Sequence, residues 1–201
     1  MNVTRRHVVL FCEDQGHEQL GRALIERLAR EAGLSVSVDA PSARGGRGRA
    51  ISELKTWQRA LSLGRLAGTP DLLVVLIDGN CEGVNATRRQ IEPQIDPAVC
   101  PTSVIGVPDP HVERWLMADA AAFTRLIGAP PPADPGKCGR DVYKKIIRET
   151  VERAGVPLLS DVLELAPDLV HDMDLFRAGK AQPALGQLID DLQRALRALG
   201  A

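Results

Sequence analysis

Acidic side chains follow apolar runs at three places in this chain. Glu13, with Asp14 and Glu18 close behind, comes after His7-Val8-Val9-Leu10-Phe11 and Cys12. Asp78 directly follows Leu72-Leu73-Val74-Val75-Leu76-Ile77, and Asp109 and Glu113 follow Thr102–Val107. A hard cation such as Mg²⁺ takes oxygen ligands, commonly one or two carboxylates plus substrate phosphates. Two such ions about 3.5–4 Å apart suit in-line cleavage of a phosphodiester. An acid at a strand end also has a plainer role, as the cap of the next helix. Capping or solvation is the preferred reading for Asp14, Asp109 and Asp119. For Glu13 and Asp78 the preference reverses, because each follows an apolar strand directly and glutamate is a poor N-cap.

The elements that would carry these residues can be read from hydrophobic spacing. The run at His7–Phe11 predicts a buried strand, and Leu20, Ala23, Leu24 and Leu28 place an amphipathic helix over Gln19–Ala32, stopped by Gly33. Leu34–Val38 alternates as a half-buried or edge strand. A helix is expected over about Arg49–Leu66. Leu72–Ile77 is the unbroken apolar run of a strand covered on both faces. A helix over Val84–Ile95, ended or kinked by Pro93, leads to a fourth strand at Thr102–Val107 and a helix starting at His111. The order β-α-β-α-β-α-β-α predicts an α/β fold: a Rossmann-like, mostly parallel four-stranded sheet flanked by helices. In such sheets ligands bind outside the carboxyl ends of the strands, so the acids would meet at one edge.

Residues 1–128 are assigned to this core, and Ala129–Gly136 opens a Pro/Gly-rich linker over 129–140. A helical C-terminal extension over 141–201 is expected to pack on the core. Its last helix, Ala184–Leu199, sets leucines along one side, a stripe equally suited to core packing, homodimerisation or docking on a partner.

At 201 residues and a net charge of −1, the chain can bury a real core and shows no global basicity toward nucleic acid. Local basicity exists: Arg44, Arg47, Arg49, Lys55, Arg59 and Arg65 stand against one acid, Glu53, around the loop Ser42–Gly48. A glycine-rich loop before a helix can bind phosphate through backbone amides, although a solvated helix face explains the same pattern. Lys144 and Lys145 are further candidates. Cys12, Cys81, Cys100 and Cys138 form no CxxC pair, so neither a zinc knuckle nor a disulfide framework is expected. His17 and His111 could flank the acidic edge, although a surface or capping role is the preferred reading. Gly45–Arg49 lacks the Gly-Lys-Ser/Thr ending of a P-loop, so the chain should not hydrolyse ATP unaided. The apolar run after Arg5 and Arg6 is too short for a signal peptide, and no stretch is long enough to span a membrane. A cytoplasmic protein is expected.

Glu13 near a glycine, followed later by Asp78-Gly79-Asn80, resembles the Toprim domain of topoisomerases, primases and overcoming-lysogenisation-defect nucleases. The segment Pro108-Asp109-Pro110-His111-Val112-Glu113-Arg114-Trp115-Leu116-Met117-Ala118-Asp119 resembles the P-x-P-x-[IV]-E-x-W-L-x-A-D signature of small Toprim-like proteins encoded beside ATPases in bacterial defence loci. The resemblance covers roughly residues 7 to 126. It implies a Mg²⁺- or Mn²⁺-dependent nuclease effector in anti-phage defence, acting on DNA or RNA with an ATPase partner. It implies Glu13 as general acid/base or metal-orienting group, Asp78 as principal metal ligand, and Glu113 and Asn80 as further ligands. Arg44, Arg47, Arg49, Lys144 and Lys145 would hold the nucleic-acid backbone. Asn80 stands where a second aspartate is usual, and Glu18 or Glu82 is the candidate to restore the missing charge. That neutral ligand favours an alternative, a non-catalytic regulatory or sensor subunit that docks on an ATPase. A small-molecule phosphate enzyme using the same edge is a third reading.

Overall fold

The structure, a computed structural model, describes residues 5–41, 45–66, 68–139 and 141–200. Four strands, β1 (Arg6–Cys12), β2 (Val36–Asp39), β3 (Leu72–Leu76) and β4 (Ser103–Gly106), form one sheet in the order β2-β1-β3-β4. Every pairing is parallel, with Val8 beside Leu72 and Val74 beside Val104. Helices α1 (Gln15–Glu31), α2 (Arg47–Ser62) and α3 (Val84–Ile91) connect successive strands. The chain leaves β1 toward β2, then recrosses to β3 on the other side of β1. Parallel crossovers are right-handed, so this reversal sends α1 and α2 to opposite faces. It also opens a crevice between the carboxyl ends of β1 and β3, the usual place for a ligand.

The apolar runs supply both faces. Val8, Leu10, Leu72, Val74, Leu76 and Val104 point into one core with Leu20, Leu24 and Leu28 of α1. Their neighbours Val9, Phe11, Leu73, Val75 and Ile105 point into the other, with Ala50 and Leu54 of α2 and Ile91 of α3. This period-two alternation on a strand covered twice explains why β3 contains no polar residue.

Beyond β4 come a 3-10 turn (Val112–Met117), α4 (Ala120–Ile127), α5 (Val142–Arg153), a second 3-10 turn (Val162–Leu165), α6 (Ala166–Asp172), α7 (Leu175–Ala181) and α8 (Pro183–Gly200). Two connecting helices cover the α2 face, but α1 alone crosses the other. Helix α8 fills that vacancy, lying against β4 and α1. Leu185, Leu188, Ile189, Leu192 and Leu196 are all buried there, so the leucine stripe of the last helix serves the protein's own core.

Several boundaries differ from expectation for local reasons. Helix α1 begins at Gln15, four residues before the expected start at Gln19, because the Asp14 side chain caps the His17 amide. Helix α3 stops at Ile91 and tightens into a 3-10 turn holding Pro93. The helix expected at His111 is a 3-10 turn, and regular helix starts only after Asp119, whose carboxylate accepts from the Ala121 amide. Among the described residues no helix is long and apolar enough to cross a membrane.

Helices α7 and α8 touch backbone to backbone at Gly179 and Gly186. A Cβ on Gly186 would stand 2.9 Å from the Gly179 carbonyl oxygen, which has no rotamer with which to retreat. Gly186→Ala is expected to cost about 1–3 kcal/mol, read as a lower Tm with an unchanged far-UV spectrum. An unaltered Tm would contradict this close approach.

Candidate functional site

Each strand of the central pair ends in an acid that turns into the crevice. Glu13 follows β1 by one residue, and its Oε1 accepts from the Asp78 amide at 3.0 Å, tying the first strand end to the second. Asp78 Oδ1 accepts from the Val112 amide at 2.9 Å, which ties in the segment after β4. The loop between Asp78 and α3 is held by the same segment. The Asn80 amide donates to the Pro110 carbonyl at 3.0 Å, and the Cys81 amide donates to Asp109 Oδ1 at 2.9 Å. Asp109 thus anchors this loop, whereas capping or solvation was expected of it. Asn80 and Cys81 both have positive φ, 47° and 63°.

Two histidines complete the arrangement, and both depart from the expected surface role. His17 lies on the buried face of α1, in line with Leu20, Gly21 and Leu24, and is only 2% exposed. Its Nδ1 meets Asp14 Oδ1 at 2.8 Å and its Nε2 meets Asp78 Oδ1 at 2.9 Å. A ring with an ionised carboxylate at each nitrogen must donate from both, so His17 is an imidazolium. Burial alone would lower its pKa, but the Asp14 and Asp78 hydrogen bonds raise it to about 10. His111 Nδ1 meets the other Asp78 oxygen at 3.1 Å. That hydrogen bond, opposed by burial, raises the His111 pKa. For Asp78 itself burial pushes upward, yet the His111 and His17 hydrogen bonds win and hold its carboxyl below the usual range. For Asp14 too burial pushes upward, and His17 wins, keeping the carboxyl well below that range.

The remaining carboxylates behave oppositely. Burial raises the Glu13 pKa, and the charges of Asp78 and Asp14 add to this against His17. Burial also raises Glu113, with Asp78 adding, while Lys144 Nζ stands 3.9 Å from its Oε1. Glu13, Asp14, His17, Asp78, Asn80, His111, Glu113 and Lys144 therefore line one polar cleft of about 400 Å³. Gly46, at the amino end of α2, forms part of the same wall.

No family model, curated protein or solved structure matches this chain. The geometry of the cleft alone carries its chemistry.

Of the residues singled out by sequence, Glu13, Asp78, Asn80, Glu113 and Lys144 come together. Glu18 does not: it pairs with Arg22 on the outer side of α1. Glu82 is spent on Arg47 at 2.9 Å, and Arg47 also bonds Gln90. Arg49 pairs with Glu53, and Lys145 lies beside Glu149 on the exposed side of α5. Arg44 lies outside the described residues. Lys144 is held at 2.6 Å by Asp161. His17 and His111 take the edge position, the less favoured of their two readings; for His17, its place in the apolar periodicity of α1, three residues after Asp14, was a usable signal.

The cysteine expectation needs correction. Cys81 and Cys138 form a disulfide across 57 residues of sequence, at the rim of the cleft. Spacing could not show this, because the pairing depends on the linker returning to the loop after β3. Cys12 and Cys100 are buried thiols.

The donor set can be tested against a divalent cation. Among the described residues, no group of three or more His, Cys, Asp and Glu side chains forms a ready metal cage. Asp78 is largely committed to His17, His111 and Val112. Glu13 and Glu113 are the less committed oxygen donors, and both are destabilised as anions by burial and by Asp78. Glu13, and Glu113 with Lys144 at 3.9 Å, are oxygen donors of the kind a hard ion takes together with water or substrate phosphate.

Proposed function

We propose that the protein is a Toprim-type nuclease that hydrolyses phosphodiester bonds with Mg²⁺ or Mn²⁺. It would act in the cytoplasm on DNA or RNA, with an ATPase partner, in anti-phage defence. The observation that carries this reading is the convergence of Glu13, Asp78 and Glu113, from three strand ends, on one cleft at the reversal point of the sheet. Glu13 and Glu113 would hold the ion, with Asp78 and Asn80 beside it. Bound there, the ion would polarise a phosphoryl oxygen and make water a stronger nucleophile.

The chain's own groups supply the rest. Glu13, just past the end of β1 and beside Asp78, would also take a proton from attacking water. His17, clamped by Asp14, fixes the orientation of Asp78 from behind. Lys144 faces the cleft, where a phosphate would find positive charge.

Glu13→Gln keeps the side chain's shape but cannot accept the proton. With Mg²⁺ or Mn²⁺ present, it is expected to lose ~100-fold or more of the hydrolysis of single- and double-stranded nucleic acid, at near-unchanged Tm. Equal residual activity in wild type and variant would overturn the assignment.

The alternative reading, a non-catalytic regulatory subunit of an ATPase, is favoured by the commitment of Asp78 to two histidines and by the neutral Asn80. Metal titration separates the two. No heat of Mg²⁺ or Mn²⁺ binding, together with stable co-purification with an ATPase, would support the regulatory role.

A further inference from the structure

We propose that the Cys81–Cys138 disulfide is a thiol-exchange site for dithiol reductants, and that it works as a latch holding a strap across the rim of the acidic cleft. This goes beyond any chemistry assigned to the cleft, since it concerns access to it.

The strap is the irregular stretch between α4 and α5. Its two ends are fixed independently of the disulfide: Phe123 and Ile127 of α4 and Tyr143 and Ile147 of α5 are all buried. Asp134 secures its middle by accepting from Arg114, the Tyr143 hydroxyl and the Gly136 amide. Past Gly136, among the described residues, Lys137 and Cys138 are tied to the rest of the domain by the disulfide and the Cys138 backbone at His111, whereas the Gly139 and Asp141 carbonyls already accept from the Val142 and Lys145 amides of α5. The bond therefore governs Lys137 and Cys138, and Cys138 lines the cleft.

Breaking the bond would leave the fold standing. Neither half-cystine belongs to a helix, a strand or either apolar core. Both cysteines are exposed, and exposed disulfides are the exchangeable ones, whereas buried ones resist reduction. On the other side, Cys81 is held in a left-handed conformation that residues with a Cβ seldom adopt, so release gives this loop freedom as well.

The reaction balances as ordinary exchange. A thiolate of the dithiol attacks one sulfur, forming a mixed disulfide and expelling the other as a thiolate. The second thiol then closes the reductant's own disulfide. Two electrons pass from the dithiol to the cystine, and Cys81 and Cys138 end as thiols. Where the surroundings are reducing the latch rests open, and an oxidising shift closes it.

The test uses the full chain purified without reductant. Maleimide labelling of the unfolded protein should find Cys12 and Cys100 reactive before dithiothreitol, and all of the chain's cysteines reactive after it. Trypsin cleavage of the native protein after Lys137 should accelerate at least ~10-fold on reduction, since cleavage follows local opening. The double variant Cys81→Ser/Cys138→Ser should be cut at the fast rate with or without dithiothreitol. Full labelling before reduction, after air oxidation, would overturn the proposal. So would cleavage at Lys137 at one rate in both states. Neither readout depends on nuclease activity.

Discussion

Replacing Asp78 by alanine is expected to cost more stability than any other single change at the cleft, and to abolish hydrolysis as well. The carboxylate accepts from His17 Nε2, His111 Nδ1 and the Val112 amide, and it is almost fully buried. Without it, the His17 imidazolium keeps Asp14 but faces a void on its other side, and the Val112 amide loses its acceptor. Removing one member of a buried ion pair typically costs about 3–5 kcal/mol, because the partner's charge stays behind. Urea unfolding should show the midpoint falling with little change in slope. Asp78→Asn keeps the volume and one acceptor oxygen, so its loss should be smaller while hydrolysis still fails. A midpoint within error of wild type for Asp78→Ala would mean that His17 is not charged in the folded protein.

The second large effect is on pH dependence. The folded pKa of His17, about 10, lies above its ordinary value of 6.5. A group raised in this way stabilises fully below the unfolded pKa and loses that contribution as pH climbs to the folded one. Stability should therefore decline between about pH 6.5 and 10, by up to about 1.4 kcal/mol per pH unit if one proton is involved. His111, also raised, adds in the same direction. On the acid side the lowered pKa values of Asp14 and Asp78 reverse the sign. Their contribution is present above the ordinary carboxylate range and disappears as pH falls through their folded values. Urea midpoints at pH 6 and pH 9 measure the alkaline arm. In His17→Gln the difference between them should shrink markedly, and an undiminished difference would place the titration elsewhere.

Strand chemistry was legible in the sequence because it is local. The six apolar residues ending at Ile77 read as a strand covered twice, and acids directly after such runs fall at a sheet edge whatever the order of the strands. Glu13 and Asp78 were found for that reason, and Glu113, in the turn beyond β4, through the resemblance carried by residues 108–119. The histidines were less visible because a polar side chain on an apolar helix face is meaningful only once its partners are placed. His17 makes sense through Asp78, 61 residues away. The disulfide was invisible for the same cause, since the approach of Cys138 to Cys81 depends on how α4 and α5 are docked. The basic residues around α2 were misleading in the opposite way. Arg47 and Arg49 have a local or nearby acid to satisfy them, and a count of charges says nothing of partners.

Helix α8 has a bearing on what can be cut from or grafted onto this protein. Because it occupies the gap left by the one-sided crossovers, the four-stranded unit is not a free-standing module. A chain truncated after α4 would bare Leu76, Val104 and their neighbours to water and should aggregate rather than yield a minimal domain. By the same logic, the C-terminal helices cannot be exchanged for a grafted element without refilling that gap. Outward-facing positions such as Phe176 and Lys180 on α7, where the aromatic ring is exposed and lies under the Lys180 amine, can change without disturbing that packing.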